Sequence, residues 1–576
     1  MADFQGPQQE PGTERRLLLV FALTFLIILA SQPLLKKYGP KTPEPAQQAQ
    51  NAPVASAPAP TTASPSVPPP APASAGTKQA SAETETVVEN DLYRIRFTNR
   101  GGQVKSWVLK KFQDDKGQPL ELVNANAAAK YGYPLGLWAY DEALRNKLNS
   151  ALYLQTPEAG NGLTAPADIS FEYSDSDTAV RKTFHFDHSY VVKVETSVVQ
   201  KGSEATAFPM WPAGFGDQNT PAAYAAARVE YQNGNDVERL ALKKVGGGAT
   251  IRGPFNWAGA SDQYFAAVFL PEDPASAAMV TLRGTLDNPA DPKRPSELVG
   301  VAVGRLGGPT EERMYVGPKA LDVLEKVPVA GLPAGAEPDL RKLVDFGWLG
   351  LIARPLFLWL KWTYNHIVAN WGWAIVIQTL IINLALLPLR IAQMKSMLKM
   401  QRVAPLIKSI QEKYKKYGMR DPRKQAMNEE IAALYKKEGV NPAGGCLPLI
   451  IQMPFLFAYY RMLGVALDLR LAHWAWVPDL SSPDPYHILP IAVIISMLFM
   501  QRMTPQAGMD PAQQKMMNLF MPVMLGFISW NLAAGLCLYW SVGNVIGIVQ
   551  QVIMNRTPLG REMREMMEKR ARKKDK

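Results

Sequence analysis

The feature that most constrains this 576-residue chain is a series of apolar runs, most of them near the length that crosses a bilayer as a helix. The first run, residues 17–35, contains no charged residue and would extend about 28 Å as a helix. The others follow residue 345 and comprise 346–389, 446–463, 488–503, 517–531 and 535–554. This pattern predicts a multi-pass α-helical membrane protein.

The run from 346 to 389 is too long for a single span, because it would extend about 66 Å as one helix. Asn370, Trp371 and Gly372 mark a natural break within it. The first part, 346–369, combines tryptophans with basic residues, which favours an amphipathic helix in the headgroup region. The second part, 371–389, is predicted to be a transmembrane helix, so that six spans are expected in all.

Positive charge is concentrated in two segments. The net charge is +11, yet residues 390–438 carry 13 basic and 5 acidic side chains, and residues 556–576 carry 9 and 4. This uneven distribution excludes a general nucleic-acid binder, which would be basic over a broad surface. With six spans both segments lie on one side of the membrane, which the positive-inside rule makes cytoplasmic, together with the N-terminus.

A long insert separates the first span from the others. Residues 36–86 are rich in proline and alanine, a composition typical of a semi-extended tether. Residues 87–345 alternate apolar and polar side chains between turn signals, as in 92–97 and 190–199. We predict a large, mainly-β sandwich domain on the outer side of the membrane.

The sequence offers little for metal or nucleophilic chemistry. It contains two cysteines, Cys446 and Cys537, which are far apart, and five histidines. His185 and His188 are the only histidines of the predicted β domain, and their spacing on a strand does not bring them to one face. We therefore expect no metal, no cofactor and no catalytic site, which argues against a carbohydrate-active outer domain.

Polar residues inside the predicted spans are candidates for a functional role. Thr379 and Asn383 are four residues apart and share one face of the second span. Such residues commonly form hydrogen bonds between helices. No span carries a relay of acidic and basic side chains, which argues against a proton-coupled transporter. The fourth and fifth spans are short, about 23 Å, and short spans thin the surrounding bilayer.

The basic segment 390–445 is predicted to form a cytoplasmic helical hairpin that turns at Gly418. Methionines and other apolar residues repeat every three to four positions, as on a surface that receives varied apolar partners. A plain packed hairpin with a charged, solvated face is the alternative. The basic run 561–576 either contacts anionic lipid or binds a ribosome, whose RNA is a polyanion.

Several short strings occur along the chain in a fixed order. They are Tyr315-Val316-Gly317-Pro318-Lys319, Asn370-Trp371-Gly372-Trp373, Asn441-Pro442-Ala443-Gly444-Gly445-Cys446-Leu447-Pro448, Ile451-Gln452-Met453-Pro454, Asp510-Pro511, Met521-Pro522 and Leu538-Tyr539-Trp540. With the order of anchor, linker, β domain and five spans, these strings resemble the long, Gram-negative form of the YidC/Oxa/Alb family of membrane protein insertases.

The resemblance implies an insertase and chaperone rather than an enzyme, working alone or with the Sec translocon. Five helices would surround a hydrophilic groove that is open to the cytoplasm and to lipid, and the β domain would be a supersandwich without catalytic activity. The implied partners are nascent integral membrane proteins, the Sec translocon, the ribosome and membrane lipids. From the residues alone, a polytopic transporter or channel is the second interpretation.

By position, the resemblance assigns residues to three surfaces. The polar groove wall would include Thr379, Asn383, Gln452 and Trp540. The path along which apolar substrate segments slide would include Ile450, Met453, Leu456 and Ile528. The capture surface of the hairpin would include Met394, Leu398, Leu406, Met427 and Ile431.

One position departs from the family pattern. The family usually has an arginine in the second span where this chain has Asn383, and that charge is thought to attract acidic substrate tails. We predict that Arg390 takes its place. It lies seven residues later, about 10 Å along the helix and on nearly the same face, and its side chain tilts back toward the helix N-terminus.

The predicted organisation places this chain in a bacterial inner membrane with both termini cytoplasmic. In order, it comprises an N-terminus (1–16), a first anchor (17–35), a periplasmic linker (36–86), a periplasmic β domain with a C-terminal helix (87–345), an interfacial helix (346–369), a second span (371–389), the cytoplasmic hairpin (390–445), a third span (446–463), a periplasmic loop (464–487), a fourth span (488–503), a cytoplasmic loop (504–516), a fifth span (517–531), a sixth span (535–554) and a basic tail (555–576).

Overall fold

The structure is a computed structural model that describes residues 77–565, apart from 115, 159–161, 217–226, 241, 288–294, 337, 418–420, 441–446, 504–515, 559 and 563–564. The predicted first span, most of the linker, the hairpin turn at Gly418 and the tail beyond residue 565 lie outside the described residues. The side chains at 243, 424, 447–452, 516 and 517 also lie outside them.

Twenty strands are present in the described part of the β domain. In chain order they are β1 (Glu85–Glu89), β2 (Tyr93–Thr98), β3 (Gln103–Gln113), β4 (Pro119–Glu121), β5 (Leu137–Trp138), β6 (Leu154–Thr156), β7 (Leu163–Thr164), β8 (Ala167–Ser174), β9 (Thr178–Phe186), β10 (Val191–Gln200), β11 (Ser203–Glu204), β12 (Phe208–Trp211), β13 (Arg228–Asn233), β14 (Asp236–Leu240), β15 (Ala249–Arg252), β16 (Trp257–Ser261), β17 (Phe265–Pro271), β18 (Ala277–Leu286), β19 (Ser296–Arg305) and β20 (Thr310–Pro318).

These strands form three sheets. The largest has the order β14-β13-β16-β17-β20-β10-β9-β8-β6, with β11 paired to β10, and two five-stranded sheets have the orders β15-β18-β19-β12-β5 and β4-β3-β2-β1-β7. Strand β10 alternates buried and partly exposed side chains, as its sequence predicts, whereas β17 is apolar and buried on both faces. The mainly-β prediction is confirmed.

Three short helices belong to the β domain, and a helical region follows it. The helices are α1 (Ala125–Tyr131), α2 (Glu142–Ser150), α3 (Leu321–Leu324), α4 (Gly350–His366), α5 (Trp371–Ala385), α6 (Leu387–Lys413), α7 (Arg423–Lys437), α8 (Leu447–Val465), α9 (Ile488–Met503), α10 (Met521–Ser529) and α11 (Ala534–Arg556). Five of these, α5 and α8 to α11, coincide with the apolar runs assigned to spans two to six.

The break predicted in the run 346–389 is a sharp bend. The axes of the segments Gly347–His366 and Trp371–Ala385 differ by 120°. Asn370 caps α5, because its side-chain oxygen accepts a hydrogen bond from the Trp373 backbone N–H at 3.1 Å. Helix α5 ends at Ala385, before the predicted boundary at 389, and α6 begins at Leu387 with Pro388 in its first turn.

Among the described residues, one helix is long and apolar enough to cross a bilayer by itself, namely α11. The bent pair of α4 and α5 meets the same criterion only when taken together. Helix α9 and the segment Asn518–Ser529 are apolar but shorter. The six spans inferred from the sequence therefore stay a prediction.

One end of the helical region is tied together by backbone hydrogen bonds. Ala534 N–H donates to the Ser482 carbonyl at 2.7 Å, and Gly535 N–H donates to the Leu480 carbonyl at 2.9 Å. A β-bridge joins Pro483 to Ala533 next to these bonds. The loop before α9 and the loop before α11 are therefore joined at the point where α11 begins.

Candidate functional site

Thr379 and Asn383 lie on the buried face of α5. Thr379 is fully buried and Asn383 is 6% exposed. The Thr379 hydroxyl donates to the Ile375 carbonyl at 2.6 Å, and the Asn383 amide donates to the Thr379 carbonyl at 2.8 Å. Both polar groups therefore bond their own helix, in contrast with the interhelical bonding that is common for such residues.

Gln378, the neighbour of Thr379 in sequence, does form interhelical bonds. Its amide donates to the Leu356 carbonyl of α4 at 2.9 Å, and its side-chain oxygen accepts a hydrogen bond from the Tyr459 hydroxyl of α8. The Tyr459 ring stacks on Tyr539 of α11, with ring centroids 4.0 Å apart. This group links four helices. The sequence marks Gln378 as a buried polar residue, but nothing in it singles out Tyr459.

Two glycines of α11 face the polar residues of α5 and α6. A Cβ atom on Gly543 would lie 3.8 Å from Thr379 Cγ2 and 3.9 Å from Asn383 Nδ2. A Cβ atom on Gly547 would lie 2.8 Å from Arg390 Nη1. The Arg390 guanidinium therefore contacts α11 one helical turn beyond the Asn383 amide, so that both lie against the same helix.

Gln550 continues this polar strip along α11. It is 7% exposed, and its amide donates to the Asn383 carbonyl at 3.2 Å. Its side-chain oxygen has no hydrogen-bond partner among the described residues. An unsatisfied buried acceptor is costly, so a polar group that reached this atom would be stabilised there.

The predicted groove wall also includes Trp540 and Gln452. Trp540 lies on α11 one turn before Gly543 and is partly exposed. The side chain of Gln452 lies outside the described residues. The structure thus brings together Thr379, Asn383 and Arg390 from the predicted set, and adds the unpredicted glycines.

The residues predicted to form the sliding path differ in exposure. Met453 of α8 is 38% exposed and Ile528 of α10 is 50% exposed, while Leu456 is partly buried against the core. The side chain of Ile450 lies outside the described residues. Further large apolar side chains are exposed on the same two helices, including Phe457 and Phe527.

The predicted capture surface of the hairpin is only partly accessible. Met394 and Leu398 are each 4% exposed and pack with Met554 of α11, so they attach α6 to the sixth apolar run. Leu406 is 47% exposed, whereas Met427 is half-buried. Ile431 packs against a second small core formed by Val403, Ile407 and Val440.

An ion-pair network that the sequence did not reveal joins the β domain to α8. One carboxylate oxygen of Asp345 lies 3.3 Å from Arg228 Nη1, 3.8 Å from Arg239 Nε and 3.2 Å from Arg461 Nη2. Burial by itself would raise the pKa of Asp345, but the three arginines and the Gly347 N–H lower it below its usual value.

Comparison with known proteins identifies the family. One family model, described as 60Kd inner membrane protein, matches residues 362–561, and another, described as YidC periplasmic domain, matches residues 85–359. A membrane protein insertase YidC from Maridesulfovibrio salexigens is 31% identical and covers 94% of this chain and 99% of its own length. The chain belongs to the YidC family of membrane protein insertases. The prediction from the short strings is confirmed.

Other YidC proteins align over similar lengths. Membrane protein insertase YidC from Geobacter metallireducens is 31% identical and covers 94% of this chain and 98% of its own length. An active YidC insertase crystal structure with the first transmembrane domain resolved shares 18% identity, covers 84% of this chain and 95% of that chain, and has a TM-score of 0.34. The crystal structure of YidC from Thermotoga maritima shares 13% identity, covers 82% of this chain and 98% of that chain, and has a TM-score of 0.28.

Membership of the YidC family settles the general character of the protein. It is an insertase rather than a catalytic enzyme, and its relatives are inner-membrane proteins with a periplasmic domain. Among the described residues, no group of three or more His, Cys, Asp or Glu side chains is arranged to hold a metal ion.

Proposed function

We propose that this chain inserts, folds and helps to assemble integral membrane proteins of the bacterial inner membrane, alone or with the Sec translocon. The observation that carries the proposal is the strip of polar groups between α5, α6 and α11, within otherwise apolar helices. Thr379, Asn383 and Arg390 supply its polar side chains, and Gly543 and Gly547 keep it free of bulk. This strip would line a groove that is open to the cytoplasm and to lipid, and a substrate's hydrophilic tail would occupy that groove.

The proposed topology has six spans, a periplasmic β domain and cytoplasmic termini. The concentration of basic residues in 390–438 and 556–576 supports this arrangement under the positive-inside rule. Helix α11 has the length and apolarity that one of these spans requires. The basic tail would contact anionic lipid or a ribosome on the cytoplasmic side.

Two further surfaces would guide the substrate. Exposed apolar residues of the hairpin, of which Leu406 is an example, would receive the nascent chain before insertion. Exposed Met453 and Ile528 would then contact the apolar segment as it leaves the groove for the lipid. Met394 and Leu398 would have only a structural role, because they are buried against α11.

Arg390 is proposed to provide the charge that Asn383 lacks. Its side chain is partly buried, and its guanidinium lies against Gly547 near the end of α5. A positive charge in such a partly desolvated position attracts a carboxylate more strongly than one in bulk water does. An acidic substrate tail would therefore be favoured in the groove over a basic one.

The test is insertion into liposomes that contain only the purified chain. A single-span substrate with a short acidic tail is added, and protease protection of the tail is measured. We expect protection, and Arg390→Ala should reduce it roughly fivefold, since one such charge pair contributes about 1 kcal/mol. Lys395→Ala removes one exposed positive charge from the same helix and is the matched control.

The outcomes separate the proposals. Equal insertion by Arg390→Ala and Lys395→Ala would rule out the role of Arg390 while leaving the insertase function intact. On this proposal Asn383→Arg should be tolerated, because it places the positive charge at the position where the family usually has it. No protection with correctly folded chain would mean that the Sec translocon is required. Solute flux through the same liposomes would instead favour a transporter or channel.

A further inference from the structure

A cavity of about 270 Å³ lies at one edge of the β domain, far in sequence from the groove helices. Its walls come from two different sheets. Pro271, Thr310 and Glu312 belong to the ten-stranded sheet, and Ala277 and Gly304 belong to a five-stranded sheet. The cavity therefore lies between the packed sheets, where the β17–β18 and β19–β20 turns meet.

Glu312 is one of the residues that line this space. Along β20 the side chains of Thr310, Glu312 and Met314 are buried and Glu311 is exposed, in the alternation of a strand. Thr310 meets the opposite sheet, since its hydroxyl would lie 2.7 Å from a Cβ atom on Gly304. Glu312 is two residues from Thr310 and shares its face, so its carboxyl group points between the sheets.

The carboxyl group of Glu312 has no hydrogen-bond partner among the described residues. The residue is 0% exposed, and neither carboxyl oxygen makes a hydrogen bond with any described residue. Opposite it on the neighbouring strand β10 is Val194, which has no polar side-chain group. A buried carboxyl group without a partner costs free energy, whether it is charged or neutral.

The entrance to the cavity is acidic. Glu272, Asp273 and Glu311 line it and are exposed, and Arg305 is the one basic residue among its lining residues. The volume also exceeds what a single water molecule needs, since a water occupies about 30 Å³ in the liquid. A metal ion is a poor fit, because the described residues contain no group of three metal-ligating side chains. An organic cation matches both the charge and the size.

We propose that this cavity binds a primary ammonium group, which enters past the acidic residues and forms a buried ion pair with Glu312. The group is carried either by a free polyamine or by a lysine side chain of another protein segment. Desolvation raises the pKa of Glu312 well above its usual value, which favours the neutral carboxyl group before binding. Binding then transfers its proton to solvent, while the ammonium group keeps its own protons.

The test uses the full-length chain in nanodiscs of zwitterionic lipid, which do not attract cationic probes. Acetyl-Gly-Lys-Gly-amide, its glutamine analogue and 1,5-diaminopentane are titrated by calorimetry in two buffers of different ionisation enthalpy. We expect saturable binding of at least one amine, release of about one proton, and no binding of the glutamine peptide. Preferential binding of the lysine peptide would indicate a protein segment, and preferential binding of the diamine would indicate a polyamine.

Two variants and a control test whether the amine binds in this cavity. Glu312→Gln should weaken amine binding at least tenfold and abolish proton release, whereas Glu325→Gln, an exposed residue of the same domain, should change neither. Arg305→Ala should tighten binding, and it tests the proposal even where Glu312→Gln does not fold. Absence of saturable amine binding, equal binding by Glu312→Gln, or no gain from Arg305→Ala would each overturn the proposal.

Discussion

Lys182 is a buried side chain of the β domain whose ammonium group is surrounded by backbone carbonyls. It is 0% exposed, and its ammonium group donates to the carbonyls of Gly101 at 2.9 Å, Gly102 at 2.6 Å and Leu135 at 2.5 Å. Burial lowers the pKa of Lys182 to about 7. The side chain thus joins strand β9 to two distant loops, at the cost of desolvating its charge.

This residue gives the β domain a defined pH dependence. Between pH 7 and about 10 the unfolded chain keeps the proton on Lys182 while the folded chain loses it, so stability should rise with pH across this window. Lys182→Met should remove this rise. At alkaline pH it should also lower the free energy of unfolding by about 2 kcal/mol, because the neutral amine has two N–H donors and the buried carbonyls lose both of them.

Thermal unfolding of the full-length chain, followed by tryptophan fluorescence at several pH values, measures both effects. Lys111→Met changes an exposed lysine on β3 and should leave the pH profile unchanged. A rise in stability that persists in Lys182→Met would show that another group causes it.

The sequence indicates some residues of the candidate site clearly and others not at all. Thr379 and Asn383 were found because a polar side chain in an apolar run is conspicuous and their spacing places them on one face. Gly547 and Tyr459 were not found, because a glycine or a tyrosine is ordinary in such a run. Their importance depends on which residue of another helix lies opposite, and that is a property of packing alone.

At the level of helices, the contact between α6 and α11 offers a way to displace the Arg390 guanidinium by a substitution on α11, while Arg390 itself is kept. A Cβ atom on Gly547 would lie 2.5 Å from Met500 Cε and 2.8 Å from Arg390 Nη1. Both atoms are at the ends of flexible side chains, so Gly547→Ala should displace them with little loss of stability. Gly543→Ala meets nothing closer than 3.8 Å and is the matched control.

We therefore expect Gly547→Ala to reduce insertion of acidic-tailed substrates several-fold and Gly543→Ala to leave it near the parent level. The protease-protection assay measures insertion, and thermal unfolding checks that both variants fold equally well. Equal activity of the two variants would argue that the position of the Arg390 guanidinium against α11 is unimportant.

Helices and strands can be predicted from the sequence where a local pattern, such as alternation or a capping residue, specifies them. The alternation of β10 and the capping of α5 by Asn370 follow from local sequence. The apolar face of α6 was identified, but its partner was not. Met394 and Leu398 pack against Met554 of α11, about 160 residues away in sequence, so their side chains are buried in this contact, and their role in a capture surface stays a prediction.

At the scale of the whole molecule, polar contacts attach the β domain to the helical region. Asp345 pairs with Arg461 of α8, and the Gln263 amide donates to the Gly464 carbonyl at 2.7 Å. The position of α8, which carries exposed Met453, is thus coupled to the β domain. Sequence could not reveal this coupling, because the charges involved come from segments more than 100 residues apart.

Asp345→Asn should loosen this attachment. Loss of the carboxylate leaves three arginines without their shared anion, and we expect the local free energy of opening to fall by about 2 kcal/mol. Hydrogen exchange at the C-terminal end of α8 measures the effect, with exposed Asp91→Asn as the control. Since the pKa of Asp345 is below its usual value, the attachment in the parent should persist at neutral pH and be lost only under strongly acidic conditions. Unchanged exchange in Asp345→Asn would contradict the coupling.

The hydrogen bonds that tie Ala534 and Gly535 to the loop before α9 have a mechanical consequence. They fix α11 at its first residues, so any tilt of this helix takes place about that point and its displacement grows along the axis. Gly547 lies 13 positions after Ala534, about 20 Å away, and a tilt of about 5° would move it by roughly 2 Å. Small rotations about the fixed end would therefore widen or narrow the space beside Arg390 while the residues near Ala534 hardly move.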